Sequence, residues 1–335
     1  MTETARSEMP SHDELVAAFT GGLAPDIDAL PVFAGSDRLR PDGRPRPEFR
    51  AELRRIPNRQ NVFLVVVALV YPFIAIGGSV ALDHPVAWVA AFFAMGAYFQ
   101  RALTLFHEAA HRLLFSNRRW NDLIGEKFIG WLAFGTGESS YRKAHSQHHR
   151  DEFGEKEPDF PLYARYPIPT SSLRRKLIRD AFGNSGWKNL KPSFVGLFVA
   201  GRRIRALRFL GGQAVVFAIF AAFGQPWLYL LLWLLPWLTY WRVANRLRAL
   251  AEHAGMTRSN DRRLTTHHIK QGFLSKYVFL SQSIGFHLAH HVDSGIPMAN
   301  LAKLQRALEE DGYVTEVITH RGYWAFWRTL AQPAK

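Results

Sequence analysis

Residues 61–111 read NVFLVVVALVYPFIAIGGSVALDHPVAWVAAFFAMGAYFQRALTLFHEAAH, and their reading decides the fold. From 61 to 100 there is no Lys or Arg. A membrane-spanning helix needs about 20 apolar residues, so the run is long enough for two. It breaks at Asp83-His84-Pro85. The stretch therefore reads as a helical hairpin, with spans near 61–82 and 86–106. Directly after the second span stands His107-Glu108-Ala109-Ala110-His111. On a helix, positions i and i+4 share one face, so both imidazoles can reach one metal ion.

A second window without Lys or Arg covers 209–241 and breaks at Gly224-Gln225-Pro226. It gives spans near 208–223 and 226–243. These are short unless Arg205, Arg208 and Arg242 reach out from their ends to the headgroups. All 42 basic residues lie outside the two windows. Both hairpin tips lack basic residues, while every other segment carries them. The positive-inside rule then puts the N-terminus, the 107–207 segment and the C-terminal third on the cytoplasmic side. The expected fold is all-α and integral to the membrane: four transmembrane helices, as two hairpins, capped by a cytosolic helical domain.

The net charge of +14 follows from this topology and needs no nucleic acid, since no basic helix, finger or RNA-type motif accompanies it. A hydrophobic share of 48% beside a mean hydropathy of −0.11 fits a chain that is part membrane anchor, part polar catalytic body. There is no Cys, which excludes disulfides, thiolate zinc sites, Cys-ligated iron–sulfur clusters and Cys nucleophiles. Residues 1–60 read as a polar cytosolic segment. Met1-Thr2-Glu3-Thr4 is neither basic nor followed by an apolar core, so no secretory signal is expected. A short amphipathic helix is expected from Asp13 to Phe19, with Ser11 or His12 at its start, and residues 35–49 read as extended linker. Phe128–Phe134 and Phe194–Ile204 suit helices at the headgroup level, or helices packed on the cytosolic domain.

Of 14 His, nine form an ordered set. After the first pair come His145-Ser146-Gln147-His148-His149 and His287-Leu288-Ala289-His290-His291, with i, i+3 and i+4 spacings. Glu252-His253 follows the last span by two to three turns. All nine fall on the cytoplasmic side of a topology read from charge alone. Nine imidazoles are too many for one ion. Four to five per ion over two ions fit a binuclear centre, and without thiolates the natural assignment is a non-heme di-iron site. His12, His84 and His320 stand alone and read as surface residues. His267-His268 reads as part of a loop.

HxxxH, HxxHH and HxxHH, in that order around four spans, resemble the membrane fatty acid desaturase and hydroxylase superfamily. The resemblance runs from about Phe63 to Leu308 and makes 61–325 a desaturase-like domain followed by a 326–335 tail. Ala251-Glu252-His253-Ala254 looks like the family's further His element. His291 followed by Pro297, Leu301 and Leu304 is similar to its closing helix. Two departures stand out. Ala249 occupies the place of an Asn in acyl-CoA desaturases, and His287 that of a Gln in front-end desaturases. His84-Pro85 continues as Val86-Ala87, so no fused cytochrome b5 is expected.

The resemblance implies two Fe ions, O2 as co-substrate, and removal of two hydrogens from an acyl chain or similar lipid held in the bilayer. His107, His111, His145, His148, His149, His253, His287, His290 and His291 are the expected ligands. Glu108, Asp151, Glu152, Asp159, Glu252 and Asp293 are candidates to accept the ligands' other ring N–H. Electrons would come from an external ferredoxin, or cytochrome b5 with its reductase. Alternatives are a hydroxylase or ketolase of a lipid, alkane or carotenoid on the same centre. HEAAH also matches the zinc-protease HExxH with Glu108 as base, though that leaves most clustered His unused. A metal carrier would want ionisable residues inside the spans; with Tyr set aside, the two windows free of Lys and Arg hold only Asp83 and His84, at a tip.

Overall fold

The computed structural model describes residues 10–135, 140–273, 275 and 285–332. The first four residues, on which the signal-peptide reading rests, lie outside them. Among the described residues the architecture is helical, with only two short parallel strand pairs, Ile168–Pro169 with Ala331–Gln332 and His268–Ile269 with Thr319–His320. The helices that position the site are α1 (His12–Phe19), α2 (Pro47–Leu53), α3 (Asn58–Leu82), α4 (Pro85–Ala110), α5 (Ser140–Arg150), α6 (Arg203–Ala222), α7 (Tyr240–His253), α8 (His287–Val292) and α9 (Met298–Glu310).

Helices α3, α4 and α6 are long and apolar enough to cross a membrane. On α3 the side chains of Val62, Phe63, Val66, Phe73 and Ile74 are exposed. So large an uncovered apolar face is not what water tolerates on a monomer. The α3–α4 turn is where the sequence puts it. Asp83 takes a left-handed conformation (φ 41°), His84 accepts the Val86 N–H at 3.2 Å, and Pro85 opens α4. Proline suits that first helical position because its missing N–H has no partner there anyway.

The region expected as a fourth span, 226–243, is not one helix. A π-helical turn over Tyr229–Leu234 leads into Leu235–Leu238, and the chain breaks at Thr239 (φ −118°, ψ −90°) before α7 begins. Pro236 contributes to the interruption, because it has no N–H to offer the preceding turn. Here α4 and α7 approach closely: a Cβ at Gly96 would overlap the Tyr240 ring.

The N-terminal segment differs from its expectation too. Ser11 caps α1 in a capping box with Glu14, as read. The 35–49 stretch, however, is no free linker. Arg40 N–H donates to Arg44 O at 2.8 Å, Leu39 is fully buried, and Arg38 pairs with Asp311. Phe194–Ile204 keeps Phe198 and Ile204 exposed, which suits the headgroup level. Phe128–Phe134 instead buries Ile129 and Ala133 against the body, with Phe128 turned outward.

Candidate metal centre

Four elements carry the nine histidines to one place, and two of them, α4 and α7, are held at their C-terminal ends. α4 stops at Ala110 because Arg112 adopts a left-handed conformation (φ 61°). The freed carbonyls of its last turn need partners. Arg142 on α5 donates to Ala109 O and Ala110 O at 3.0 and 3.1 Å and pairs with Asp122 at 2.6 Å. Asn121, fully buried, donates to Ala109 O at 2.9 Å. One set of hydrogen bonds thus ends the helix bearing His107 and His111 and docks the helix bearing His145, His148 and His149. The end of α7 is held in a similar way. His267 N–H donates to Glu252 O at 2.9 Å, and His267 Nε2 donates to Ala254 O at 2.8 Å.

The rings converge in two clusters. One nitrogen from each of His107, His111, His145, His149 and His290 lies within 4.8 Å of the others. The same holds for His148, His253, His287 and His291. The clusters adjoin, with the His149 and His291 rings stacked 4.3 Å apart.

The donor chemistry fits metal ions. Nε2 of His145 lies 2.9 Å from His111 Nε2 and 3.1 Å from His149 Nε2, and His149 Nε2 lies 3.0 Å from His290 Nε2. In the second cluster His253 Nε2 and His287 Nε2 are 3.0 Å apart. A ring nitrogen carries either a hydrogen or a lone pair. His145 Nε2 and His149 Nε2 each face two other ring nitrogens, and hydrogen bonds alone cannot satisfy them. A shared cation can. Metal–imidazole bonds are about 2.1 Å, so two such nitrogens at right angles about one ion stand roughly 3.0 Å apart. Nε2 of His291 is buried and has no hydrogen-bond partner.

Burial holds His145, His149, His253, His287, His290 and His291 well below the ordinary imidazole range and lowers His111 to about 4. These rings are neutral at pH 7 and keep the lone pair a metal requires. Burial pulls on His148 in the same direction. Its hydrogen bond to Glu157 and that carboxylate's charge outweigh the pull and hold it above the ordinary value.

The other ring nitrogens are anchored as ligating histidines usually are. His253 Nδ1 donates to Thr265 O at 2.8 Å, and His148 Nδ1 meets Glu157 at 2.8 Å. His291 Nδ1 bonds Glu152, which also pairs with Arg262 at 2.6 Å. His287 Nδ1 is 3.4 Å from Glu252, itself paired with Arg248. Of the six carboxylates singled out in the sequence, Glu152 and Glu252 therefore touch the rings. Asp159 lies within 4.8 Å of the His148 and Glu157 groups without bonding a ring.

Glu108 turns away to accept Met298 N–H at 2.9 Å, Asp151 accepts Lys156 N–H at 2.9 Å, and Asp293 pairs with Arg50. These three do not orient the rings. Glu157, which does, was missed. Its signal was the acid-rich run Asp151–Asp159 directly after the second box, folded back by a left-handed Phe153 (φ 58°).

Five histidines stand outside the clusters. His84 is exposed at the hairpin tip. His12 and His320 are half-buried rather than free on the surface: His12 Nε2 donates to Phe153 O at 2.8 Å, and His320 packs 4.9 Å from Phe326. His267 is a buried clamp, and its neighbour His268 opens a short strand.

Burial lowers His267 to about 3 and His268 to about 4, from 6.5. The fold favours their neutral forms, so that stability is complete above about pH 6.5 and is lost as pH falls below it, by at most about 1.4 kcal/mol per group per unit. We expect the melting temperature to fall from pH 7.5 to 5.5, with a shallower fall in His267→Gln. Equal slopes would remove His267 from this account.

Comparison with known proteins follows the geometry. The family model described as fatty acid desaturase matches residues 83–323. The dihydrorhizobitoxine desaturase of Bradyrhizobium elkanii is 28% identical over 237 residues, covering 65% of this chain and 67% of that protein.

Proposed function

The chain belongs to the fatty acid desaturase family of oxidoreductases, and from that premise we propose that it desaturates a lipid chain with O2 at a di-iron centre. The observation that carries this reading is the pair of clusters, five and four imidazoles, side by side. His107, His111, His145, His149 and His290 would hold one iron, and His148, His253, His287 and His291 the other. When bound, the two irons supply O2 reduction and hydrogen removal from an unactivated C–H bond. The balance is simple. The substrate gives up two hydrogens, an external carrier gives two electrons, two protons enter, and O2 leaves as two waters.

The protein's own part is positioning. Glu157, Glu152 and Thr265 O fix the tautomers that leave a lone pair on Nε2 of His148, His291 and His253. The stacked rings of Phe134, Phe106 and Tyr141 wall the His145 side from water, with Phe106 and Tyr141 centroids 4.6 Å apart. We take the apolar hairpins as membrane-embedded, with the centre on the cytoplasmic face, because the basic residues gather on that side.

The test is expression in a host with its own reductase system, in air, followed by mass spectrometry of extracted lipids. A new species short of two hydrogens supports the reading. One richer by a single oxygen would move the chain to the hydroxylases.

The electron donor is approached through a second feature. A cavity of about 700 Å³ opens on His149 and His291, one from each cluster, between Arg40, Arg44, Arg50, Arg54 and Arg262. An acidic ferredoxin or cytochrome b5 suits such a rim, since charge complementarity governs encounter more than raw affinity. With Arg40, Arg44 and Arg54 changed to Gln, KM for a reduced acidic ferredoxin should rise about tenfold, and the salt dependence should weaken. An unchanged KM would place the donor elsewhere.

A further inference from the structure

Two helix faces lead from the metal centre toward the apolar core, and both are polar. On α4, Gln100, Thr104, His107 and His111 follow the 4-3-4 spacing that keeps residues on one helix face. On α7, Trp241, Asn245, Arg248 and Glu252 repeat it. The α7 face is joined from Asn245 to Glu252. Arg248 Nε donates to Asn245 Oδ1 at 3.2 Å, Arg248 pairs with Glu252, and Glu252 lies 3.4 Å from His287 Nδ1. The two helices pack on each other, with Trp241 5.9 Å from the Phe99 ring, next in sequence to Gln100.

At the deep end, the polar atoms of Gln100 and Trp241 have no partners among the described residues. Gln100 is 1% exposed, and neither its Oε1 nor its Nε2 has a hydrogen-bond partner. Trp241 is 4% exposed, and its Nε1 has none either. Met95, Phe99, Ala102 and Leu105 of the same stretch of α4 are buried and apolar, and the Arg242 guanidinium lies 4.4 Å over the Trp241 ring without reaching its Nε1. An apolar side chain of similar size at position 100 would avoid the cost of burying a bare amide. Polar groups at membrane depth are read first as functional. Their place is informative too: Gln100 precedes His107 by seven residues, about 10 Å along the helix.

We propose that Gln100 and Trp241 are specificity-determining residues that hydrogen-bond an oxygen or nitrogen within the substrate chain, remote from the bond attacked. The substrate class is then a heteroatom-bearing amphiphile, such as a chain interrupted by an ether or bearing a hydroxyl, rather than a plain hydrocarbon chain. This rests on the desaturase reading above. It adds a discrimination that an apolar tunnel cannot make. A site built to hydrogen-bond a substrate group rejects the analogue lacking it, because its own buried groups are then left bare.

The experiment uses the full chain in the reductase-competent host, fed octadecanoic acid or isosteric acids in which one chain methylene is replaced by an ether oxygen. The oxygen is walked along the chain, and dehydrogenated products are counted with iron per chain. At least one ether isomer should be converted about tenfold faster than octadecanoic acid, roughly the effect of one unmade buried hydrogen bond. Trp241→Phe keeps the ring and removes the N–H; Gln100→Leu keeps the bulk and removes the amide. Each should reduce the preference to within about twofold with iron content unchanged, and Gln100→Leu should raise the melting temperature of the ligand-free protein.

Octadecanoic acid converted as fast as every ether isomer would overturn the proposal. So would a preference intact in both variants, or iron-loaded protein that converts none of these acids. A chain that binds no iron fails on the desaturase reading instead.

Discussion

His148→Ala should reduce desaturation by more than about 100-fold and lower the iron content of the purified protein. His148 sits in the four-histidine cluster with ring contacts to His253 at 4.8 Å and His291 at 5.1 Å. It is 3% exposed, so water cannot readily take its place as a ligand. Loss of a group that merely orients a ligand costs 10–100-fold in metal affinity or activity; loss of the ligand itself should cost more. The measurement is product formation per chain alongside iron content. A His148→Ala protein with full iron and full turnover would remove His148 from the centre. His267→Ala is the matched control, because that ring is buried nearby yet belongs to neither cluster. It should weaken the protein to heat while leaving iron per folded chain unchanged.

Glu157→Gln should have the second-largest effect, a loss of about 10–100-fold in iron affinity or turnover. The carboxylate accepts from His148 Nδ1 at 2.8 Å and from Asp159 N–H at 2.9 Å. It therefore fixes the ring from one side and the following turn from the other. Gln keeps the shape and removes the charge that holds His148 above its ordinary protonation range. Asp151→Asn is the contrast. Asp151 belongs to the same acidic run but faces the Lys156 backbone, and the change should stay within about twofold. Equal losses in both variants would mean that the run acts through local folding and not through His148.

The helical spacing of the boxes was legible because a 3.6-residue period puts i, i+3 and i+4 on one face wherever the helix lies. All eight histidines read from it, together with His253, come together in the two clusters. Which carboxylates support them was half legible. Glu152 and Glu252 stand close to clustered histidines in the chain, but the rings they touch, His291 and His287, come from the third box. Glu157 reaches His148 only because Phe153 reverses the chain in a left-handed conformation, which a bulky residue gives no hint of.

The α3–α4 turn read well at Asp83-His84-Pro85, where turn chemistry is local. The fourth apolar stretch read as continuous because hydropathy does not register the break that follows Pro236, at Thr239. The 35–49 stretch looked like linker because its composition is polar. Its buried residues, Leu39, Gly43 and Pro45, take their meaning from tertiary packing alone.

The most direct measurement is the metal content of purified full-length protein from iron-supplied cells, by elemental analysis. The account expects close to two irons per chain, falling to about one in both His148→Ala and His111→Ala, one variant for each cluster. One zinc per chain, or iron content unaffected by either substitution, would contradict the binuclear histidine centre on which the rest depends.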